Sequence, residues 1–156
     1  MPGLQVLELR AAPQFAAGVA GWLHREWYAR RGTRPEELLA GDPAVVGGPA
    51  RFVACMPGGP AVGTFTLEPG EDPRSGRPLS CLSNVYVDEA WRGMGIGRQL
   101  CEAALEQARA LGIPRLSLFT ASHGTWYAEQ GWSYVELMSL RIGGQDVPAI
   151  LMDRAV

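Results

Sequence analysis

The stretch Val85-Tyr86-Val87-Asp88-Glu89-Ala90-Trp91-Arg92-Gly93-Met94-Gly95-Ile96-Gly97-Arg98 decides the fold. An apolar run ends at an acidic break, glycines follow at alternate positions, and a helical pattern begins. A glycine-rich turn between a strand and a helix bares several backbone N–H groups at the positive end of the helix dipole, which favours an anion. Glycine lets a phosphate approach the main chain closely and permits positive φ. Arg92 and Arg98 add two cations able to make charge-assisted hydrogen bonds to phosphate.

The flanks define a unit around this turn. Leu82 to Val87 is a mostly apolar run suited to a buried strand. After it, Ile96, Leu100, Ala104, Ala108 and Leu111 recur at helical spacing, with Arg98, Glu102, Glu106 and Arg109 largely elsewhere on the wheel. Gly112 is placed to end the helix and Pro114 prevents its continuation. Leu116 to Phe119 reads as the next strand. The pattern predicts a βαβ unit with a parallel strand pair and a right-handed crossover.

Further out, Leu4 to Leu9 reads as a first strand and Pro13 to Tyr28 as an amphipathic helix carrying Phe15, Val19, Trp22, Leu23 and Trp27. Thr33 and Glu36 are spaced as a capping box for a short helix through Leu39. Arg51–Cys55 and Ala61–Leu67 read as strands around the turn Pro57-Gly58-Gly59-Pro60, and Glu68 to Pro78 as a mobile hairpin loop. Thr125 to Gln130 is a short helix stopped by Gly131. Tyr134–Ile142 and Val147–Met152 flank Gly143-Gly144 as a closing hairpin.

Composition narrows the function. The chain has 156 residues, 47% hydrophobic, with a formal net charge of -2. It suits one soluble domain over 1–156 and lacks the basic surface of a nucleic-acid binder. All 14 basic residues are arginine. Without lysine there is no Walker-type phosphate loop and no Schiff-base chemistry. Cys55, Cys81 and Cys101 fit no zinc spacing and read as reduced, mostly buried thiols; no metal is expected. No leader or membrane-spanning run is evident, so the expectation is a cytoplasmic protein.

Three ligands use such a glycine turn. The missing lysine excludes a nucleoside triphosphate on a phosphate loop. A dinucleotide would want Gly-x-Gly-x-x-Gly and an acid near the end of the next strand; here the glycines run Gly93-x-Gly95-x-Gly97, and that strand ends Leu118-Phe119-Thr120. The third ligand is coenzyme A.

At these residues the sequence resembles the GCN5-related N-acetyltransferase superfamily. The hallmark after a Val-Asp strand end, Val87-Asp88, is Arg92-x-x-Gly95-x-Gly97. A second segment, Tyr127-Ala128-Glu129-Gln130-Gly131-Trp132, is similar to that superfamily's Tyr-x-x-x-Gly-Phe. The likeness runs from Leu82 to Trp132, and the flanks follow by element order. Many members carry an asparagine before the tyrosine. Here Thr120-Ala121-Ser122-His123-Gly124-Thr125-Trp126 resembles instead a subgroup that includes some protein N-terminal acetyltransferases.

The resemblance implies a single α/β domain with a mixed, twisted sheet of about six or seven strands flanked by helices. It implies acetyl-CoA as co-substrate, held by Val85, Tyr86, Val87, Arg92, Gly93, Met94, Gly95, Ile96, Gly97 and Arg98. The pantetheine arm would lie along the strand in a gap between the parallel pair. An amine attacks the thioester directly, and Tyr127 is the implied general acid. A free phenol titrates near pH 10 and a thiol near 8.5, so full proton transfer is uphill by ~1.5 units, or roughly 2 kcal/mol. The base stays open between His123, which has the better intrinsic pKa, and Glu68; Ser83 and Asn84 could order a water. Trp27, Tyr28, Arg31 and Asn84 are candidate acceptor contacts, and Arg30, Arg31 and Arg34 would attract an acidic acceptor unless they are simply a solvated charge run. The acceptor is a small amine, a peptide N-terminus or a lysine; the competing reading is an inactive acyl-CoA-binding regulator. The C-terminal strands would allow a homodimer.

Overall fold

The strand–helix–strand unit forms and sits at the middle of the molecule. The structure is a computed structural model that describes residues 3–28 and 49–156. Seven strands make one sheet: β1 (Gln5–Glu8), β2 (Ala50–Cys55), β3 (Ala61–Glu71), β4 (Pro78–Val87), β5 (Arg115–Thr120), β6 (Ser133–Ile142) and β7 (Gln145–Ala155), in the order β1-β2-β3-β4-β5-β7-β6. Every neighbouring pair is antiparallel except β4 and β5, which are parallel. Helix α1 (Ala16–Leu23) covers one face; α2 (Ile96–Ala110) covers the other, and α3 (Gly124–Ala128) follows β5.

Alternation along the strands sorts side chains onto the two faces. On the α2 face, Phe52 stacks on Phe65 with ring centroids 4.8 Å apart, and both join Leu82, Leu100 and Leu116 in the larger core. On the α1 face, Val53 packs with Leu9, Val19 and Leu23. Gly63 lets α2 come close: a Cβ there would lie 2.8 Å from the Tyr86 carbonyl and 2.9 Å from Leu100 Cδ1.

Several elements differ from the sequence reading. The first strand gives way at Leu9 to a 3-10 turn. The helix expected over Pro13–Tyr28 is a 3-10 turn at Pro13–Phe15, then α1, then a π turn at His24–Tyr28. Residues five apart stand about 140° apart on an α-helix. The wider π turn, built on i to i+5 bonds, brings such a pair towards one side, and both Trp22 and Trp27 reach Tyr86 from it. α2 ends at Ala110. Ile113 N–H bonds the Ala108 carbonyl at 2.9 Å and Gly112 N–H that of Arg109 at 3.1 Å, with Gly112 at φ 73°. This Schellman closure turns Leu111 out, 60% exposed, where the helical pattern predicted it inward.

The loop expected from Glu68 to Pro78 is largely strand. β3 and β4 stay paired out to Glu71 opposite Pro78, with Glu68 inside β3 opposite Cys81. The tip is pinned: Arg74 pairs with buried Asp72 at 2.8 Å and with Glu136 on β6 at 3.0 Å. Since β5 and β7 lie between β4 and β6, the tip crosses two strands to make that contact. The Thr33/Glu36 helix and Arg30, Arg31 and Arg34 lie outside the described residues. No helix among the described residues is long and apolar enough to cross a membrane.

Candidate active site

β4 and β5 are in register at a single pair, Cys81 opposite Ser117, and towards their C-terminal ends no further pair forms. The cause is legible in β4. Thr66 pairs with Ser83 and Thr64 with Tyr86, so Phe65 alone faces both Asn84 and Val85. This β-bulge bends the strand. Asn84 sits at φ 54°, the only non-glycine residue at positive φ among the described residues, a conformation asparagine tolerates better than most.

Beyond the bulge, Asp88 N–H bonds the Val62 carbonyl on β3 at 2.9 Å. By alternation the main-chain groups of Tyr86 and Asp88 face β3, and those of Val85 and Val87 face the opening. Val85 and Val87 therefore present an edge that pairs with no strand. Tyr86 does not. Its main chain belongs to the β3 ladder and its ring is buried on the α1 face, 5.4 Å from Trp22 and 6.3 Å from Trp27 between centroids. The bulge and the ladder thus move Tyr86 from the predicted cofactor edge to the opposite wall.

The edge runs into the glycine turn. Gly93 (φ 81°) and Gly95 (φ 80°) are left-handed, and Gly95 is the N-cap of α2 with no side-chain capping bond. The first amides of α2, from Ile96, Gly97 and Arg98, lack intrahelical acceptors as at any helix start. Met94 is 53% exposed beside them, and the Ile96 side chain is core. Gly97 serves differently from its neighbours: it is helical, and a Cβ there would lie 3.2 Å from the Trp126 ring and 3.8 Å from Val87 Cγ2. Close packing of α3 on the turn requires that glycine.

The two arginines point apart. Arg92 Nε donates to the Val87 carbonyl at 3.0 Å, and its guanidinium lies 5.2 Å from the centre of the Tyr86 ring. Arg98 lines a cleft of about 260 Å³ with Cys101, Glu102, Glu129, Gln130 and Arg154. Arg154 donates to the Gln130 carbonyl at the end of α3.

Tyr127 stands on α3, its ring packed edge-on against Trp126 at 4.9 Å and Trp132 at 6.0 Å. Its N–H bonds the His123 carbonyl at 3.0 Å. Burial pushes the phenol well above its ordinary pKa, and the neighbouring Cys101 adds to the shift. Among the described residues Trp132 Nε1 is the only fully buried side-chain N or O without a partner, so the Tyr127 hydroxyl is not sealed off. Such a phenol keeps its proton at neutral pH. His123 is exposed, caps α3 and contacts Ser122 Oγ through Nδ1 at 3.1 Å. Glu68 lies on the α1 face, opposite Cys81. The three thiols are free and buried. Burial pushes Cys81 up to about 11 and Cys101 up to about 12, so neither is a nucleophile at neutral pH.

One polar group was missed in the sequence. Arg51 on β2 faces Thr66 on β3, and its Nη1 donates to Thr66 Oγ1 at 2.9 Å and to Asn84 Oδ1 at 3.4 Å. A charge opening the apolar run Arg51–Cys55 was the available signal, but its partners depend on a register that no local pattern gives. Trp27 and Tyr28 pack at the edge of the α1 layer; Arg31 is outside the described residues.

A mixed sheet whose central parallel pair is splayed beside an amide-lined turn is the architecture that the sequence resemblance implied, and comparison with known proteins names the class. The chain belongs to the acetyltransferase (GNAT) family, whose description matches residues 16–131. Among solved structures it is similar to a GNAT-family acetyltransferase from Streptococcus pneumoniae, with 20% identity, TM-score 0.67 and coverage of 99% of this chain and 100% of that one. It is also similar to an acyl-CoA N-acyltransferase from Pseudomonas aeruginosa (21% identity, TM-score 0.67, 98% and 99% covered). A third is a GCN5-related N-acetyltransferase from Rhodopseudomonas palustris (18% identity, TM-score 0.66, 100% and 96% covered). No curated relative matches the chain.

Proposed function

We propose that the chain, working as one domain over 1–156, is an N-acetyltransferase that moves the acetyl group of acetyl-CoA directly to a primary amine. The observation that carries this reading is the open edge of Val85 and Val87 leading into the bare amides at the start of α2. The edge pairs with the amide groups of pantetheine, and the turn takes the diphosphate. Arg92 and Arg98 flank the phosphates from either side of the turn.

The amine nitrogen attacks the thioester carbonyl carbon; the new C–N bond forms, the C–S bond breaks, and the thiolate leaves. A main-chain N–H at the bulge, at Val85, stabilises the oxyanion. Tyr127 donates a hydrogen bond to the departing sulfur. Its raised pKa favours that role over complete proton release. The ammonium proton leaves on the α1 face, where Glu68 is the in-register carboxylate two residues from Thr66. His123, exposed at the cap of α3, is the alternative acceptor of that proton.

Calorimetry with acetyl-CoA and CoA, paired with thiol release across a panel of amines, tests the proposal. Micromolar binding and amine-dependent release are expected. Binding with no turnover for any amine would favour a regulatory acyl-CoA-binding module, and no binding would overturn both readings.

A further inference from the structure

Among the described residues Arg51 is the arginine whose side chain reaches the β4 bulge from the α1 face, and its hydrogen bonding is half complete. Only Nη1 is engaged, by the neutral oxygens of Thr66 and Asn84. Among the described residues no carboxylate lies within ion-pair distance of it and no acceptor sits on Nε or Nη2. Neither of these nitrogens is sealed from solvent, although the residue is half-buried and its partner Thr66 is fully so. Among the described residues this half-buried guanidinium is held by neutral oxygens and has no counter-charge, and its Nε/Nη2 edge is the fork that matches a carboxylate in bidentate fashion.

The position of this fork bears on which ligand it would suit. Arg51, Thr66 and Ser83 form a row across β2, β3 and β4, and the bulge at Asn84 ends the row at the opening. The α2 face of β4 is filled by core and by α2, so an acceptor reaches the opening from the α1 face. Glu68 lies on that same face, two residues beyond Thr66. Among the described residues that face carries the Arg51 guanidinium, bonded to Thr66, and the Glu68 carboxylate two residues along β3, charges complementary to a carboxylate and an ammonium on one small molecule.

We propose that the acceptor is a free amino acid or a close analogue, whose carboxylate is held by the Nε/Nη2 edge of Arg51 while its amine attacks the thioester. This inference rests on the transferase reading above. Arg51 is a specificity-determining residue in it.

The test compares thiol release from acetyl-CoA with the L-amino acids and with their primary amides. An amine beside a carboxamide is less basic and offers more free base at neutral pH, so intrinsic reactivity favours the amide. The expected result is a preference of about 10- to 100-fold for at least one free acid over its amide, the size of a charge-assisted bond, expressed mainly in KM. Arg51→Gln should collapse that ratio towards one, and Arg51→Lys should retain part of it, because an ammonium is a point charge without the fork. The acid-to-amide ratio of the unaltered protein needs no variant, and acetyl-CoA affinity measured on Arg51→Gln reports whether it folds. Thiol release that is equal for acid and amide, or strongest with peptides or carboxyl-free amines, overturns the proposal and leaves the transferase reading standing. Acetyl-CoA binding without release for any acceptor overturns both.

Discussion

Arg92 Nε donates to the main-chain carbonyl of Val87 across 3.0 Å. The bond joins the first residue of the glycine motif to the last residue of the open strand edge, so the turn and the edge are fixed relative to each other without a ligand. The guanidinium is also 5.2 Å from the centre of the buried Tyr86 ring, whose other neighbours are Trp22 and Trp27 of the first helical segment. Three parts of the chain thus meet at one cation, and among the described residues only its Nε is engaged in a hydrogen bond.

Replacing Arg92 with alanine should therefore weaken acetyl-CoA binding by about 10- to 100-fold, the loss of a charge-assisted contact together with the fixed geometry of the edge. Lysine should recover only part of the loss, since it cannot both lie over Tyr86 and donate through a planar fork. Calorimetric Kd values for the three proteins check this, and an unchanged Kd in Arg92→Ala would assign the phosphates to the amides alone.

Tyr127→Phe should lower kcat by about 10- to 100-fold, the loss of one hydrogen bond to a charged leaving group, while Kd for acetyl-CoA changes little. The pH dependence has a definite sign. A folded-state pKa raised above the ordinary phenol value means that Tyr127 stays protonated through neutral and mildly alkaline pH, so its loss of function falls above about pH 10. A descending limb centred below that pH which disappears in Tyr127→Phe would contradict the hydrogen-bond role.

The βαβ unit was legible because its signals are local: an apolar strand, a glycine turn, a periodic helix, and a glycine with a proline to end it. Of the candidate site, the strand end at Val85 and Val87 and the glycine turn leading into α2 were legible because they coincide with those signals. Tyr86 lies between Val85 and Val87, so alternation alone turns its main chain towards β3, while which of the two sets faces the opening is set by the bulge opposite Phe65, far away in sequence. The Arg51 contacts were invisible for a like reason, since they need three strands in register. Gly97 matched the motif, but its packing reason, the Trp126 ring 3.2 Å from where a Cβ would be, is tertiary. The long β3–β4 hairpin was read as a loop because Pro, Gly and charge dominate its composition, while its pairing and the Arg74 contacts hold it in place.

Two glycine-to-alanine changes should act in opposite directions. At Gly63 a Cβ would lie 2.8 Å from the Tyr86 carbonyl, which is part of the β3–β4 ladder and cannot give way as a side chain would, and 2.9 Å from Leu100 Cδ1. Overpacking of this kind costs about 1–3 kcal/mol. At Gly18, in the exposed part of α1, a Cβ meets nothing within 4 Å, and the gain in helix propensity and lost unfolded-state freedom is about 0.5–1 kcal/mol. Denaturant midpoints of the two variants should straddle that of the unaltered protein; a Gly63→Ala midpoint equal to it would show that α2 can lift off β3 at no cost.

Acid should loosen the β3–β4 hairpin through one carboxylate. Asp72 accepts from the Arg74 side chain at 2.8 Å and 3.1 Å and from the Arg74 main-chain N–H at 2.9 Å, and these bonds lower its pKa to about 2. An unfolded aspartate titrates near 3.9. The folded-state value is depressed, so its contribution to stability is present in full above about pH 4 and is lost as pH falls from there towards 2. Asp72→Asn keeps an oxygen for the Arg74 N–H but removes the charge. The melting temperature of the unaltered protein should exceed that of the variant by a constant amount from pH 7 to pH 5, and the gap should close below pH 4. Because Arg74 also pairs with Glu136 at 3.0 Å, amide exchange in the hairpin tip should quicken in Arg74→Ala at neutral pH. A melting-temperature gap that persists undiminished to pH 2 would show that the Asp72 charge does not hold the hairpin.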